Sequence, residues 1–166
     1  DVRAPVEFAA GHLPGAINLP LLDDEERAAV GTEYKLKGQA AAVALGHKLV
    51  SGENKARKIS GWRDYVSSEP LAVFYCFRGG MRSQISRSWL AEEGLKQPLI
   101  LGGYKAARAF LLEQINSCCA RLEFVVIAGA TGSGKTRLIE ALGEGAVDLE
   151  SLANHRGSAF GGKSGP

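Results

Sequence analysis

Three short apolar, β-prone runs, each ending at a glycine-containing turn that opens onto a helical stretch, predict an α/β fold. The expected architecture is a parallel sheet with helices on both faces, followed by the start of a second α/β domain. The runs occupy residues 71–75, 99–101 and 122–128. The expected division places a first domain at residues 1–117 and a partial second domain at 118–166.

The elements follow in order. Residues 13–22 hold Pro14, Gly15 and Pro20 and read as a loop with one short extended stretch, after which Asp23 and Asp24 cap a charged helix running towards Val30. Residues 38–50 are alanine-rich with apolar residues at helical spacing, and 56–66 form another helix with a basic, Trp-containing face. The run at 71–75, bounded by Pro70 and a glycine pair, is a buried strand ending at Cys76. A helix from Ser83 to about Glu93 puts Ile85, Trp89 and Leu90 on one face, and Gly94 ends it. Next come a strand at 99–101, the pair Gly102-Gly103, and a helix over 104–115 with Ala107, Leu111 and Leu112 facing inwards. Residues 116–121 form a linker, 122–128 a fresh strand and 137–142 a helix. Val147-Asp148-Leu149-Glu150 end a further strand before a polar loop at 154–161.

The 166 residues are 45% hydrophobic and 23% charged, proportions of an ordinary globular protein rather than a disordered or fibrous one. No apolar run approaches the roughly 20 residues that span a bilayer, so a cytoplasmic location and no membrane partner are expected. A net charge of +2 confines any nucleic-acid site to a local patch. Cys76, Cys118 and Cys119 make neither a disulfide framework nor a zinc pair. The chain opens at Asp1-Val2-Arg3 and closes in the run Gly161-Gly162-Lys163-Ser164-Gly165-Pro166, and is expected to be a piece of a longer protein whose first strand lies upstream.

Two segments carry chemistry. In Cys76-Phe77-Arg78-Gly79-Gly80-Met81-Arg82-Ser83 a thiol stands at the carboxyl end of a strand, with two glycines in the turn and a helix just beyond. Backbone N–H groups and a helix N-terminus then point at the sulfur, and Arg78 and Arg82 flank it; such surroundings lower a thiol's pKa and stabilise an anion. A merely packed cysteine has no use for Gly79, Gly80 or the two arginines. The second segment, Gly129-Ala130-Thr131-Gly132-Ser133-Gly134-Lys135-Thr136, is a complete phosphate-binding loop between an apolar run and a helix. Backbone amides from Gly129 to Gly134, with Thr131 and Ser133, wrap the phosphates, Lys135 neutralises them, and the Thr136 hydroxyl suits a magnesium ion. Nucleotide, diphosphate ester and free phosphate all fit those amides. Asp148 is either a magnesium or substrate contact or a solvated strand end, and His155 and Arg156 are candidate substrate contacts.

Asp1-Val2-Arg3, Glu7-Phe8, Gly11-His12-Leu13-Pro14-Gly15-Ala16-Ile17-Asn18 and the later cysteine loop together resemble the rhodanese superfamily, over roughly two thirds of the chain. That resemblance implies that Cys76 is a chalcogen-carrying nucleophile held in a loop of backbone amides. Ordinary rhodaneses place four residues between cysteine and loop arginine, whereas five separate Cys76 from Arg82. A loop of that length also resembles the phosphatases and arsenate reductases of the same fold, which makes phosphatase chemistry the competing reading. Against it, Tyr75 stands where those phosphatases usually have histidine.

The order of the two loops, followed by Asp148-Leu149-Glu150-Ser151-Leu152-Ala153-Asn154-His155-Arg156-Gly157, resembles the tRNA 2-selenouridine synthase family. The similarity includes Leu19-Pro20-Leu21-Leu22-Asp23-Asp24-Glu25-Glu26-Arg27, Val30-Gly31-Thr32 and Gly102-Gly103-Tyr104-Lys105, which generic rhodaneses lack. It implies a transferase that replaces the sulfur of wobble 2-thiouridine by selenium from selenophosphate, through S-geranyl-2-thiouridine made from geranyl diphosphate. Cys76 would take selenium as a selenenylsulfide while Arg78, Arg82 and the loop amides stabilise the departing phosphate. The phosphate loop would hold geranyl diphosphate, with ATP or GTP as the rival ligand, and magnesium at Thr136. Implied partners are tRNA, phosphate or diphosphate donors and a selenophosphate-producing enzyme. The stretch 48–63, with Lys55, Arg57, Lys58 and Trp62, is either a tRNA contact surface or a solvated helix face. Cys118 and Cys119 are bystanders, or one of them resolves an oxidised Cys76.

Overall fold

The computed structural model describes residues 1–130 and 132–153. The chain divides into two compact units, Asp1–Arg121 and a second that begins at Leu122.

The first unit is built on helices α1 (Pro5–Ala9), α2 (Asp24–Leu49), α3 (Gly52–Ser68), α4 (Met81–Glu92) and α5 (Gly103–Cys119). Helix α2 starts where a reciprocal cap forms: the Glu26 N–H donates to Asp23 Oδ1 at 2.7 Å and the Asp23 N–H donates to Glu26 Oε2 at 2.9 Å. It breaks at Gly38, whose φ of 82° and ψ of −175° lie outside helical values, so α2 is two arms joined at a glycine. Trp62 and Val66 on α3, and Ser83, Ser86, Trp89 and Leu90 on α4, are buried, the last four recurring at helical spacing. Trp62, Val66, Trp89 and Leu90 meet Val2, Leu21, Leu22, Val50 and Phe74 in one core. Trp62 stands edge-on to Phe74 with ring centroids 6.2 Å apart, and its Nε1–H donates to the Leu19 carbonyl at 2.9 Å.

The α/β class holds, but the predicted sheet is reduced. The runs at 71–75 and 99–101 pair in the parallel sense at a single bridge, Phe74 to Leu99, where the Phe74 N–H donates to Pro98 O and the Ile100 N–H donates to Phe74 O. On the other edge the Val2 N–H donates to Tyr75 O, and Leu21 donates to Val2 O. Among the described residues no continuous strand forms. The cause at the carboxyl end is local: the Cys76 carbonyl, the next group on the side facing 99–101, accepts instead from the Tyr104 N–H at the start of α5.

Three further expectations are corrected. Leu111 and Leu112 are exposed, as are Phe110 and Ile115; of α5 only Gly103 is buried. Residues 122–128 form no strand, Val125 is 91% exposed, and an extended run needs a neighbour to become a strand. Asp148 does not end a strand. Its Oδ1 accepts from the N–H groups of Glu150 and Ser151 and caps α7 (Leu149–Leu152), the local competition for backbone donors that aspartate favours. The second unit also contains α6 (Lys135–Leu142) and a 3-10 turn at Gly143–Gly145. Among the described residues no helix is long and apolar enough to cross a membrane.

The burial of Trp62 yields a stability prediction. Trp62→Ala should lower unfolding free energy by about 3–5 kcal/mol through cavity formation. Trp62→Phe should lower it by about 1–3 kcal/mol by leaving the Leu19 carbonyl unpaired. Urea unfolding followed by circular dichroism reads both; two equal, negligible losses would contradict the core described.

Candidate active site

Cys76 lies where the extended segment 73–76 meets the turn into α4, and it is 3% exposed. Its Sγ is 3.3 Å from Ser83 Oγ and 3.8 Å from the Gly80 carbonyl, to which the Ser83 hydroxyl can also donate at 3.1 Å. Burial pushes the thiol's pKa up. The Ser83 hydroxyl and backbone N–H groups at Ser83, Arg78 and Gly80 push the other way and prevail, so the pKa falls below the ordinary thiol value.

The loop owes its shape to a second glycine turn. Gly79 adopts φ 63° and Gly103 φ 60°, a region that disfavours side chains. A Cβ on Gly103 would stand 2.2 Å from the Cys76 carbonyl oxygen and 2.4 Å from Gly79 N. Only a glycine allows the two turns to touch, and the contact is locked by Tyr104 N–H to Cys76 O at 2.9 Å and Lys105 N–H to Phe77 O at 3.0 Å.

The two loop arginines are placed differently. Arg78 is exposed, with its guanidinium 5.9 Å from the Phe77 ring centroid. Arg82 forms a two-pronged pair with the Glu7 carboxylate, which also lies 3.6 Å from Arg27. Burial pushes the Glu7 pKa up, but its bonds to Arg82 and the Ala4 N–H and the charge of Arg27 hold it below the ordinary carboxylate value. Gly79 and Gly80 lie beside Cys76 as the sequence places them. Glu7 and Ser83 were not singled out, although Glu7 belongs to the Glu7-Phe8 pair and Ser83 falls in the first turn of α4, where a hydroxyl can reach back to the preceding strand.

In the second unit, Gly132 (φ 80°) and Gly134 (φ 85°) turn the chain into α6. Lys135 Nζ reaches back over the loop to the carbonyls of Gly129 and Ala130 at 2.8 and 2.9 Å. A Cβ on Gly129 would come within 2.8 Å of Ser133 Oγ. Thr136 is exposed on α6. Asp148 has its Oδ1 engaged in capping. Thr131, His155 and Arg156 lie outside the described residues.

The expected RNA surface is corrected at one residue: Trp62 is 1% exposed and packs in the core, so it cannot stack on a base. Around it Lys55 pairs with Glu92 and lies over the Trp89 ring, Lys58 with Glu26, and Arg63 with Glu93.

Both segments match known protein families. Residues 1–109 match the rhodanese-like domain family, and 122–166 match the tRNA 2-selenouridine synthase AAA domain. The chain therefore belongs to the rhodanese-like family and, through the pairing of both domains, to the tRNA 2-selenouridine synthase family. It is 56% identical over 97% of its length to the tRNA 2-selenouridine synthase of Bdellovibrio bacteriovorus, and 54% identical over its whole length to that of Nitrosomonas europaea. It spans 43% and 44% of those two proteins. Among solved structures it resembles the N-terminal domain of a putative ATP/GTP binding protein from Clostridium difficile 630. That match has a TM-score of 0.58 and 35% identity, over 67% of this chain and 85% of the other.

A pH profile tests the thiol environment. Because the folded pKa is lowered, alkylation of Cys76 by iodoacetamide should reach half its maximal rate below the pH of an ordinary thiol, and Ser83→Ala should move that midpoint upward. Identical profiles for both proteins would remove Ser83 from the site.

Proposed function

We propose that the protein of which this chain forms part converts 2-thiouridine at the tRNA wobble position to 2-selenouridine, through S-geranyl-2-thiouridine, with Cys76 as the selenium-carrying nucleophile. The observation that carries this reading is the setting of the Cys76 sulfur: buried at the turn from an extended segment into a helix and 3.3 Å from the Ser83 hydroxyl, which together with the loop backbone draws the thiol's pKa down. Arg82 supports it against the phosphatase reading, since its guanidinium is engaged by Glu7 rather than turned to an oxyanion beside the sulfur.

Electron balance refines the chemistry. Attack of the Cys76 thiolate on the selenium of selenophosphate forms an S–Se bond and breaks the Se–P bond. The electron pair of the broken bond remains on phosphorus, so the group that leaves is phosphite rather than phosphate. The terminal selenide then attacks C2 of S-geranyl-2-thiouridine, and the C2–S bond breaks as geranylthiolate departs. A cellular thiol supplies the two electrons that cleave the S–Se bond, leaving selenium on the base and, after a second exchange, a free Cys76 thiolate. Arg78 and the loop amides oppose the negative charge gathered at the sulfur during the first step.

The second unit serves the preceding alkylation. Lys135, which bonds the loop carbonyls, would bind the diphosphate of geranyl diphosphate instead, and Thr136 would supply a hydroxyl ligand to a magnesium ion that neutralises the leaving diphosphate. The remaining partners on this reading are tRNA and a selenophosphate-producing enzyme, in the cytoplasm.

Nucleoside mass spectrometry on 2-thiouridine tRNA, incubated with the whole protein and both donors, tests the assignments. Cys76→Ala should lower selenouridine at least about a hundredfold while the S-geranyl species accumulates, and Lys135→Ala should lower geranylation at least about tenfold. Phosphorus NMR should find one phosphite per selenouridine. Phosphate in place of phosphite, or unimpaired selenation by Cys76→Ala, would overturn the selenium-carrying role.

A further inference from the structure

The first unit contains a cavity of about 450 Å³ that the Cys76 chemistry leaves unused. Its walls come from Leu22 just before α2, from both arms of α2 through Val30 and Val43, and from α4 through Ile85 and Trp89. It also borders Arg78, Gly80 and Arg82, residues of the loop that holds Cys76, and Gly80 O is 3.8 Å from the sulfur. The site thus joins an apolar chamber to a polar, cationic edge at the nucleophile.

We propose that this cavity receives the hydrocarbon chain of an S-isoprenylated thionucleoside, a ten-carbon chain on the reading above, and holds it while the C2–S bond is exchanged at Cys76. The inference rests on that reading and adds a binding site to it. A tetrahedral selenophosphate occupies only a small part of such a volume and gains nothing from aliphatic walls. The volume lies in the ~300–1,000 Å³ range of small-molecule sites, and a lining mostly apolar with a few convergent polar groups fits an amphipathic ligand.

Two features keep the chamber open. The break at Gly38 folds the second arm of α2 back so that Val30 and Val43 both reach it. Gly46, a glycine in the interior of that arm despite its helix cost, lines the cavity, and a Cβ there would meet Val30 Cγ2 at 3.9 Å. The space is open enough for a larger side chain to project into it. Leu21, Leu22 and Val30 belong to the stretches 19–27 and 30–32 that set this sequence apart from generic rhodaneses.

The test measures binding of 2-thiouridine nucleosides carrying S-methyl, S-dimethylallyl or S-geranyl groups to the whole protein by calorimetry. In the wild type, affinity should rise at least about tenfold with each five-carbon unit, a cautious fraction of the transfer free energy of the buried carbons. Gly46→Leu should abolish that increment while Gly46→Ala retains it. A flat chain-length series, or an increment that survives in a Gly46→Leu protein with native thermal unfolding, overturns the proposal. Should Gly46→Leu fail to fold, photo-crosslinking of wild type by a diazirine-bearing geranyl analogue decides. Labelling of peptides spanning 39–50 or 81–90 supports the cavity, and labelling only elsewhere overturns it. Turnover keeps the two readings apart: wild type that binds the long chain here yet makes no selenouridine from S-geranyl-2-thiouridine tRNA refutes the function and leaves the binding site standing.

Discussion

The contact between two glycine turns governs the rest of the first unit. Gly103 must lie against the Cys76 carbonyl and Gly79 nitrogen for the first amides of α5 to reach the loop. Those amides engage the carbonyls of Cys76 and Phe77 and so hold the loop in place beside the sulfur. The same diversion stops the parallel ladder after one bridge. A short extended layer and a well-formed nucleophile loop are thus two results of one constraint.

Charge placement follows a similar economy. The loop carries two arginines, and the fold uses them differently: Arg82 is spent on Glu7 and ties α4 to α1, while Arg78 stays at the surface beside the loop. A site built this way relies on backbone and hydroxyl donors for thiolate stabilisation, with one exposed cation at its edge. It differs in kind from a loop whose arginine is fixed on a tetrahedral anion, and it leaves room beside α2 and α4 for an apolar group to approach.

Much of this was legible in the amino-acid order because it is local. The glycines of both loops, the cap at Asp23, the helical spacing of Ile85, Trp89 and Leu90 and the turn ahead of Lys135 depend on residues a few positions apart. What was misread depends on distant neighbours. Trp62 sits among lysines and arginines in sequence, yet its ring is claimed by Phe74 and the Leu19 carbonyl. Leu111 and Leu112 have the period of a buried face, but no described element of the first unit covers them. The strand expected at 122–128 has the right composition and no described partner. The Arg82–Glu7 pair spans 75 positions, and no local pattern announces it.

The account stands or falls on whether Cys76 carries selenium. Incubating the whole protein with selenophosphate alone, then measuring the masses of intact protein and of the peptide containing Cys76, addresses this directly. The account predicts one selenium atom on Cys76, lost on treatment with a thiol and absent from Cys76→Ala; an unmodified Cys76 in enzyme that still makes selenouridine would contradict it.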